Sequence, residues 1–311
     1  MIIYLRKHLT CSRILRPELC AYSLRLFAVS DTKIASLYIV STPIGNLSDM
    51  SQRAVETLQS VDVIAAEDTR HSGILLQHFS IKTPSVSLHD HNELQRSELL
   101  LTRLQQGESV ALISDAGTPL ISDPGYKLVS LVREHGIRVV PVPGSCAVIA
   151  ALSASGLPSD RFTFEGFLPS KQGARKQTLE ALVDESRTMI FYDAPRRLQG
   201  TLADMVEIFG GERQACIARE LTKLHETITT QSLSDLLEWV SKDSNQQKGE
   251  SVLLLDGAKQ QKDSSETEIN RVLSLLLKEL PVKKAAAMTS SLLGVRKNTA
   301  YDMALKLQQR D

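Results

Sequence analysis

The sequence predicts an α/β protein, with two α/β domains followed by a small helical region. Three observations carry this. Short apolar runs alternate with helix-periodic stretches from Leu37 to Leu255, the pattern of strands joined by crossover helices in a mainly parallel sheet. Those runs end on loops rich in Gly, Pro, Ser and Asp. The last 40 residues carry helical periodicity without a strand pattern. A chain of 311 residues is also long enough for two compact domains.

The first domain covers residues 37–156. Leu37–Thr42 is its first strand, followed by the turn-rich loop PIGNLSDMS. Gln52–Gln59 is a short helix capped by Ser51 or Asp49. Val61–Ala66 is the second strand and ends at Glu67-Asp68-Thr69-Arg70. His71–Phe79 is the next helix. Ser85–Leu88 is the third strand, and HDHN follows it. Asn92 caps a helix that runs to Gln106 and stops at Gly107. Ser109–Ser114 is the fourth strand and leads into SDAGTPLISDPG, residues 114–125. There Asp123-Pro124 has the signature of a helix cap followed by proline at the first helical position. That helix ends at His135, before Gly136. Ile137–Val142 is the fifth strand, and a small-residue helix runs from Ser145 to Ser155. SGLPSD, residues 155–160, is a linker.

The second domain covers residues 157–260. Its strands are Arg161–Phe167, Thr188–Tyr192, Gln214–Arg219 and Ser251–Leu255. Its helices are Gly173–Glu185, Pro195–Phe209, closed by Gly210-Gly211, and Ser232–Ser241; KDSNQQKG is a polar connector. Residues 261–311 start in a segment, AKQQKDSSETE, with the composition of a flexible linker. EINRVLSLLLKEL is a helix that stops before Pro281. PVKKAAAMTSSLLGVRKNTAYDMALKLQ reads as helix, Gly294 turn, helix. This is a helix-turn-helix pattern with Lys283, Lys284, Arg296 and Lys297 near the turn. It either meets nucleic acid or is a hairpin that packs or dimerises. No internal repeat is visible.

Hydrophobic residues make up 42% and charged residues 23%, an ordinary globular composition. Aromatics, at 5%, are too few for a protein that grips single-stranded nucleic acid mainly by stacking. Net charge is zero but unevenly spread. Residues 1–36 hold six basic and two acidic groups, and residues 261–311 hold nine and six. The middle is acidic. A nucleic-acid partner therefore works through local patches or not at all. Cys11, Cys20, Cys146 and Cys216 show no CxxC spacing, which excludes a disulfide framework and a zinc site and fits a reducing, cytoplasmic setting. No apolar stretch approaches the ~20 residues of a membrane span. Residues 1–36 are too interrupted by Arg13, Arg16 and Arg25 for a secretory signal. They read as a transit peptide or, preferably, as translation assigned too far upstream, and are expected to be poorly ordered.

In parallel sheets, ligands bind beyond the carboxyl ends of the strands. Four loops leave strands at that edge: STPIGNLSD, AEDTRHS, SDAGTPLISDPG and PVPGSCA. Their small residues let backbone approach a ligand closely. Neither GxGxxG nor GxxxxGK[ST] occurs, so a phosphate cradle is not indicated. Asp68, Asp115 and Asp123 instead suit a cationic ligand such as S-adenosylmethionine, with its sulfonium and ammonium, or else cap helices.

The segments LYIVSTPIGNLSDM, AAEDTRHSG, LHDHNE, SDAGTPLISDPGY, VPVPGSCA, GFLPSK, ARELTKLHE and LPVKKAAA…GVRKN occur in this order. Together they closely resemble the RsmI-type family of bacterial small-subunit ribosomal RNA cytidine 2′-O-methyltransferases, in the tetrapyrrole-methylase-like class of S-adenosylmethionine enzymes. The resemblance runs from about Leu37 to the C-terminus. It implies a two-domain tetrapyrrole-methylase-like fold, with a mainly parallel sheet in the N-terminal domain, a mixed sheet in the second, and a helix-turn-helix-like basic C-terminal region. It also implies a cofactor cleft between the domains, a homodimer, and 16S rRNA or the 30S particle as partner. The cofactor residues it implies are Pro43, Asp115, Ala116, Gly117, Thr118, Cys146, Ala147, Tyr192 and Ala218. Cys146-Ala147 stands where many relatives have Ser-Ala. YDAPRR departs from the commoner YESPHR, which puts specific roles for Asp193 and Arg196 in doubt.

Methyl transfer to a ribose hydroxyl is an in-line displacement in which positioning supplies much of the acceleration, and a base helps remove the proton. Candidate bases are Glu67 and Asp68, His89 or His91, and Glu220. The preferred catalytic set is Glu67, Asp68 and Arg70, its carboxylates orienting or deprotonating the hydroxyl and Arg70 pairing with phosphate. The alternative is a carboxylate–arginine pair that braces the loop. His89 and His91 read more readily as helix-capping or surface residues. Lys171, Arg175, Lys176, Arg219 and Lys223, with Lys283, Lys284, Arg296 and Lys297, are the candidate RNA contacts. No metal-ligand set is expected. Rival readings are a C-methyltransferase acting on a tetrapyrrole, which has no need of a basic periphery, a non-catalytic RNA-binding assembly factor, and a phosphate-processing hydrolase, for which no Walker loop is present.

Overall fold

The structure, a computed structural model, describes residues 34–258 and 266–308. The extension with Cys11 and Cys20, and most of the linker expected around residues 258–268, lie outside the described residues. The chain divides into two compact units. Unit 1 takes residues up to Ser41, Ser51–Asp115 and Asp123–Pro143; unit 2 takes Thr42–Met50, Ala116–Ser122 and the chain from Gly144 onward. The small-residue helix after the fifth strand therefore belongs to unit 2, as do two loops that interrupt the first domain.

Unit 1 is a five-stranded sheet in the order β3-β2-β4-β1-β5, all neighbours parallel. The strands are β1 (Ser36–Val40), β2 (Val63–Ala66), β3 (Ser85–Ser87), β4 (Val110–Ile113) and β5 (Arg138–Val142). β2 and β4 are buried at every position, which is why both read as unbroken apolar runs rather than alternating ones. The connecting helices are α1 (Gln52–Ser60), α2 (Thr69–His78), α3 (Glu93–Gln105) and α4 (Tyr126–Glu134). The chain crosses the sheet one way from β1 to β3 and the other way from β3 to β5, and α3 packs on α4. Ser51 caps α1 as expected, its hydroxyl accepting from Ala54 N at 3.1 Å.

Two helix starts differ from expectation. Asp123-Pro124 does not cap α4, which begins at Tyr126 behind Gly125 at φ 124°. The buried Glu93 carboxylate does that work from α3. Its Oε1 accepts from Gly125 N at 2.9 Å and Lys127 N at 3.0 Å, and Lys127 Nζ lies 3.4 Å from Oε2. Asn92 occupies the cap position of α3, but its side chain turns back. Oδ1 accepts from His89 N at 2.9 Å, and Nδ2 reaches Ser87 O and His89 Nε2.

Unit 2 contains a mixed sheet in the order β6-β7-β10-β8-β9. Its strands are β6 (Phe162–Phe167), β7 (Thr188–Asp193), β8 (Gln214–Arg219), β9 (Thr227–Ser232) and β10 (Ser251–Leu255), with β6 and β7 parallel and the other neighbours antiparallel. Side chains alternate across it. Met189, Phe191, Ile217 and Leu253 face one core beside α6 (Gln172–Glu180), α7 (Pro195–Phe209) and α8 (Leu233–Lys242). Ile190, Tyr192, Cys216, Ala218 and Leu254 face a second core with α5 (Ala147–Ala154) and with Ile44 and Ile121 of the two inserted loops. Edge strand β9, TITTQS, is an addition to the expected elements. Helix α6 ends at Glu180, short of the expected Glu185, and the next residues form turns.

The C-terminal helices are α9 (Glu266–Leu276), α10 (Val282–Leu293) and α11 (Lys297–Gln308). They bury Ile269, Leu273, Ala285 and Ala304 against one another. Gly294 takes the left-handed conformation at φ 66° and closes α10, as the turn required. Among the described residues, no helix is long and apolar enough to cross a membrane.

Candidate active site

The chain leaves β1 toward β2 and leaves the neighbouring β4 toward β5, in opposite directions across the sheet. That reversal is a topological switch point, where open parallel sheets bind ligands. The loops that follow these two strands, 42–50 and 116–122, are the two segments that cluster with unit 2. They are stitched together there. Thr42 and Gly117 form an antiparallel bridge, and Thr118 Oγ1 donates to Ser145 O at 2.9 Å in the loop after β5.

The backbone in this cluster is held in uncommon conformations. Gly117 lies at φ 85°, Leu120 at 75° and Ser122 at 67°, while Glu220 and Thr222 of ARELTK lie at 51° and 64°. Left-handed non-glycine residues cost energy and gather at functional sites. The lone glycine of STPIGN has a packing reason. A Cβ on Gly45 would sit 2.9 Å from Thr222 Oγ1 and 3.0 Å from Leu221 O.

Five of the expected cofactor residues share this neighbourhood in unit 2. Cys146, Ala147 and Tyr192 pack on the core that contains Ala218, together with Ile44 and Ile121, and Thr118 is tied to Ser145. Pro43 and Gly117 are buried, and Ala116 is exposed. Tyr192 meets Phe164 and Phe167 edge-to-face, with ring centroids 4.9 and 5.3 Å apart.

The carboxyl edge of the unit 1 sheet is acidic. Asp115 Oδ1 accepts from Asp68 N at 3.1 Å. Burial pushes the Glu67 carboxyl up, and the nearby Asp123, Asp115 and Asp90 charges add to it. Burial also raises Asp123 to about 6, against a hydrogen bond from Ser114 that opposes the shift and with Asp115 and Asp90 that reinforce it. Within unit 1, this excess of mutually repelling carboxylates is chemistry that suits a cationic group, such as the sulfonium or ammonium of S-adenosylmethionine.

Asp68 is the N-cap of α2, its Oδ1 accepting from Arg70 N at 2.8 Å, and it pairs with the Arg70 guanidinium through both oxygens. That pairing holds the Asp68 carboxyl well below the usual range. The bracing alternative thus describes what Asp68 does in the structure. Glu220 is occupied too. Its Oε1 accepts from Lys223 Nζ and Glu250 N, both at 2.9 Å. Burial would raise its carboxyl, but these donors outweigh it and hold it low. Asp193 is buried and bonds Ala194 N, Thr201 Oγ1 at 2.6 Å and Arg197 at 2.6 Å. Arg196 is exposed. Among the described residues, no cluster of His, Cys, Asp and Glu could hold a metal.

The expected RNA contacts separate into three groups. Arg175 and Arg219 do not present their guanidinium groups to solvent. Arg175 is buried on Asp204 at 2.6 Å. Arg219 is buried among Gln246, Lys248 O, His225 O and Thr227. Both are interior fastenings of unit 2. Lys176 pairs with Glu207, and Lys223 with Glu220 and Glu250. Lys171, Lys283, Lys284, Arg296 and Lys297 are exposed. Glu93 was not singled out from sequence, although an acidic residue opening α3 is a common first-turn feature and carries no sign of its reach to α4.

Residues 36–237 match the family model for tetrapyrrole (corrin/porphyrin) methylases, and residues 263–308 match the model for the RsmI C-terminal HTH domain. A ribosomal RNA small subunit methyltransferase I of Pseudomonas aeruginosa PAO1 is 58% identical over 275 residues, which is 88% of this chain and 98% of that protein. The crystal structure of the methyltransferase CobJ superposes with a TM-score of 0.54 at 18% identity, covering 72% of this chain and 95% of that one. A uroporphyrin-III C-methyltransferase from Thermus thermophilus, complexed with S-adenosylhomocysteine, superposes at 0.50 and 16% identity, covering 71% and 97%. The fold, the motif order and the near-complete match to a curated relative agree: the chain belongs to the tetrapyrrole (corrin/porphyrin) methylase family, in its ribosomal RNA small subunit methyltransferase I branch.

Proposed function

We propose that this chain is an S-adenosylmethionine-dependent methyltransferase acting on the 2′-oxygen of a cytidine ribose in small-subunit (16S) ribosomal RNA. The observation that carries the proposal is the joining, in one chain, of the methylase fold and its switch-point loops to a helical module with exposed basic residues at both helix starts. S-adenosylmethionine, when bound, supplies an electrophilic methyl carbon on a sulfonium. Gly117 and Thr118 would hold the cofactor with backbone, and Cys146, Ala147, Tyr192 and Ala218 would line it. Asp115 would balance its positive charge from the neighbouring loop position, with Pro43 and Ala116 beside it.

Glu67 is the proton acceptor of this proposal, a carboxyl that burial and the neighbouring Asp123, Asp115 and Asp90 charges push up from its ordinary value and so make more basic. Asp68 fixes Arg70 through two hydrogen bonds, and Arg70, 90% exposed, would meet a phosphate of the target strand. Lys171, Lys283, Lys284, Arg296 and Lys297 would hold phosphates more widely, an affinity that falls with salt. A homodimer, a ribosomal particle as substrate and a cytoplasmic place of action belong to the same proposal.

The test is calorimetric titration of S-adenosylmethionine into the protein and its Asp115→Ala variant. Binding by the parent and a loss of about tenfold or more in the folded variant, roughly 1.4 kcal/mol, are the expected results. Equal affinities would remove Asp115 from the cofactor site.

A further inference from the structure

Strand β6 carries a bulge between Phe164 and Gly166, so that Phe164 faces Ile190 and Phe167 faces Tyr192 in the register with β7. The bulge changes which side chains share a face. Phe164 and Phe167, three residues apart, both reach the Tyr192 ring. Gly166 makes this turn at φ 69°, with its Cβ position 3.7 Å from Ser122 Oγ in the loop after β4. Phe164 and Tyr192 pack on the core that holds Cys146, Ala147 and Ala218. Phe167 is the outermost ring of the three and is 60% exposed. Exposed Lys171 follows four residues later, and exposed Arg196 lies just beyond β7.

A bulge and a left-handed glycine thus hold a large apolar ring in water beside the loop of residues 116–122, with cations nearby in the chain. Isolated core packing does not call for this. An exposed aromatic face is the chemistry that receives an unstacked nucleobase. We propose that Phe167 is the shelf on which the base of the target cytidine stacks, so that its ribose is presented to the cofactor loops. This rests on the rRNA-methyltransferase reading above. One shelf, rather than a platform of rings, also agrees with the low aromatic content of the chain. Fixing the base also fixes the ribose that carries the reacting hydroxyl.

The experiment measures methyl transfer to small ribosomal subunits lacking the modification, for the parent and the Phe167→Ala, Phe167→Leu and Phe167→Trp variants. S-adenosylmethionine affinity, thermal midpoint and oligomeric mass are measured alongside. Loss of one base–ring stack corresponds to about 5- to 150-fold. The Ala and Leu variants are expected to lose this in kcat/KM, and Trp to stay within a few fold of the parent, with cofactor affinity and mass unchanged in all three and the midpoint lowered only by the lost Tyr192 contact. Full activity in Phe167→Leu would overturn the shelf and leave an apolar contact. A parallel loss of cofactor affinity would make Phe167 a wall of the cofactor site, and a change of mass would make it a subunit contact; either overturns the proposal. A parent that transfers no methyl group to the subunits refutes the underlying reading itself, a result distinct from these.

Discussion

Thr42 and Gly117 exchange two backbone hydrogen bonds, Thr42 N donating to Gly117 O at 2.8 Å and Gly117 N to Thr42 O at 3.0 Å. This bridge joins the loops after β1 and β4, the two strands at which the direction of the chain reverses. Gly117 can make it because it sits at φ 85°, and a Cβ there would approach Ile44 Cγ2 to 3.3 Å. Gly117→Ala is therefore expected to lower stability by about 1–2 kcal/mol, the cost of a left-handed L-residue. It is also expected to weaken S-adenosylmethionine binding, because the bridge shapes the loop. Thermal unfolding and calorimetry check both effects.

The acidic edge of unit 1 makes a pH-dependent contribution of definite sign. Asp123 has a folded-state value of about 6 against an ordinary 3.8. Between those values the folded protein holds more protons than the unfolded chain. Its contribution to stability therefore falls as pH rises from about 4 to 6, and the deficit persists above that range. Asp123→Asn is expected to raise stability at pH 7 by an amount of order 1–3 kcal/mol and to flatten this part of the profile. Urea unfolding of both proteins at pH 4.5 and pH 7 measures it. A saturating cationic ligand should shrink the difference.

The strands of unit 1 were legible because burial on both faces leaves continuous apolar runs such as Val110–Ile113, bounded by turn residues. Strand β9 was not, since its TITTQS sequence lacks apolar alternation and its partnership with β8 is non-local. The switch-point loops announced themselves by composition, and the resemblance supplied the cofactor residues. Charge alone misled at Arg175 and Arg219. A basic residue near a helix start looks the same in sequence whether it faces water or Asp204. Asp123-Pro124 misled for a related reason, because a cap signature cannot reveal that Glu93, 32 residues before Gly125, supplies the acceptor.

Arg175 and Asp204 form a buried ion pair, with Gln172 Nε2 donating to Asp204 Oδ1 at 2.8 Å. Removing one partner strands the other charge. Arg175→Ala and Asp204→Ala are each expected to destabilise unit 2 by about 3–5 kcal/mol, and the Arg175→Met/Asp204→Leu pair by much less. RNA titrations of that double variant should show the parent's salt dependence. Guanidinium chloride unfolding provides the stability values.

Glu93→Ala removes the charged acceptor for two backbone N–H groups at the start of α4 and leaves Gly125 N buried. A loss of about 2–3 kcal/mol is expected, and Glu93→Gln should recover part of it. Hydrogen exchange should show the first turn of α4 opening more often in the Ala variant.

Lys283 and Lys284 are exposed at the start of α10. Replacing both by Glu is expected to weaken RNA binding and to reduce the slope of log affinity against log salt by about 1.4–1.8, as for two lost phosphate contacts. Fold and cofactor affinity should not change. Identical titrations for variant and parent would assign the helical pair to packing alone.

The most direct measurement supplies methyl-labelled S-adenosylmethionine and, in separate reactions, small ribosomal subunits or free rRNA lacking the modification, and maps the label by nuclease digestion and mass spectrometry. Label on the 2′-oxygen of a single cytidine is the predicted result. Tight cofactor binding with no label on either RNA, or label on a base rather than a ribose, would contradict the proposed reaction.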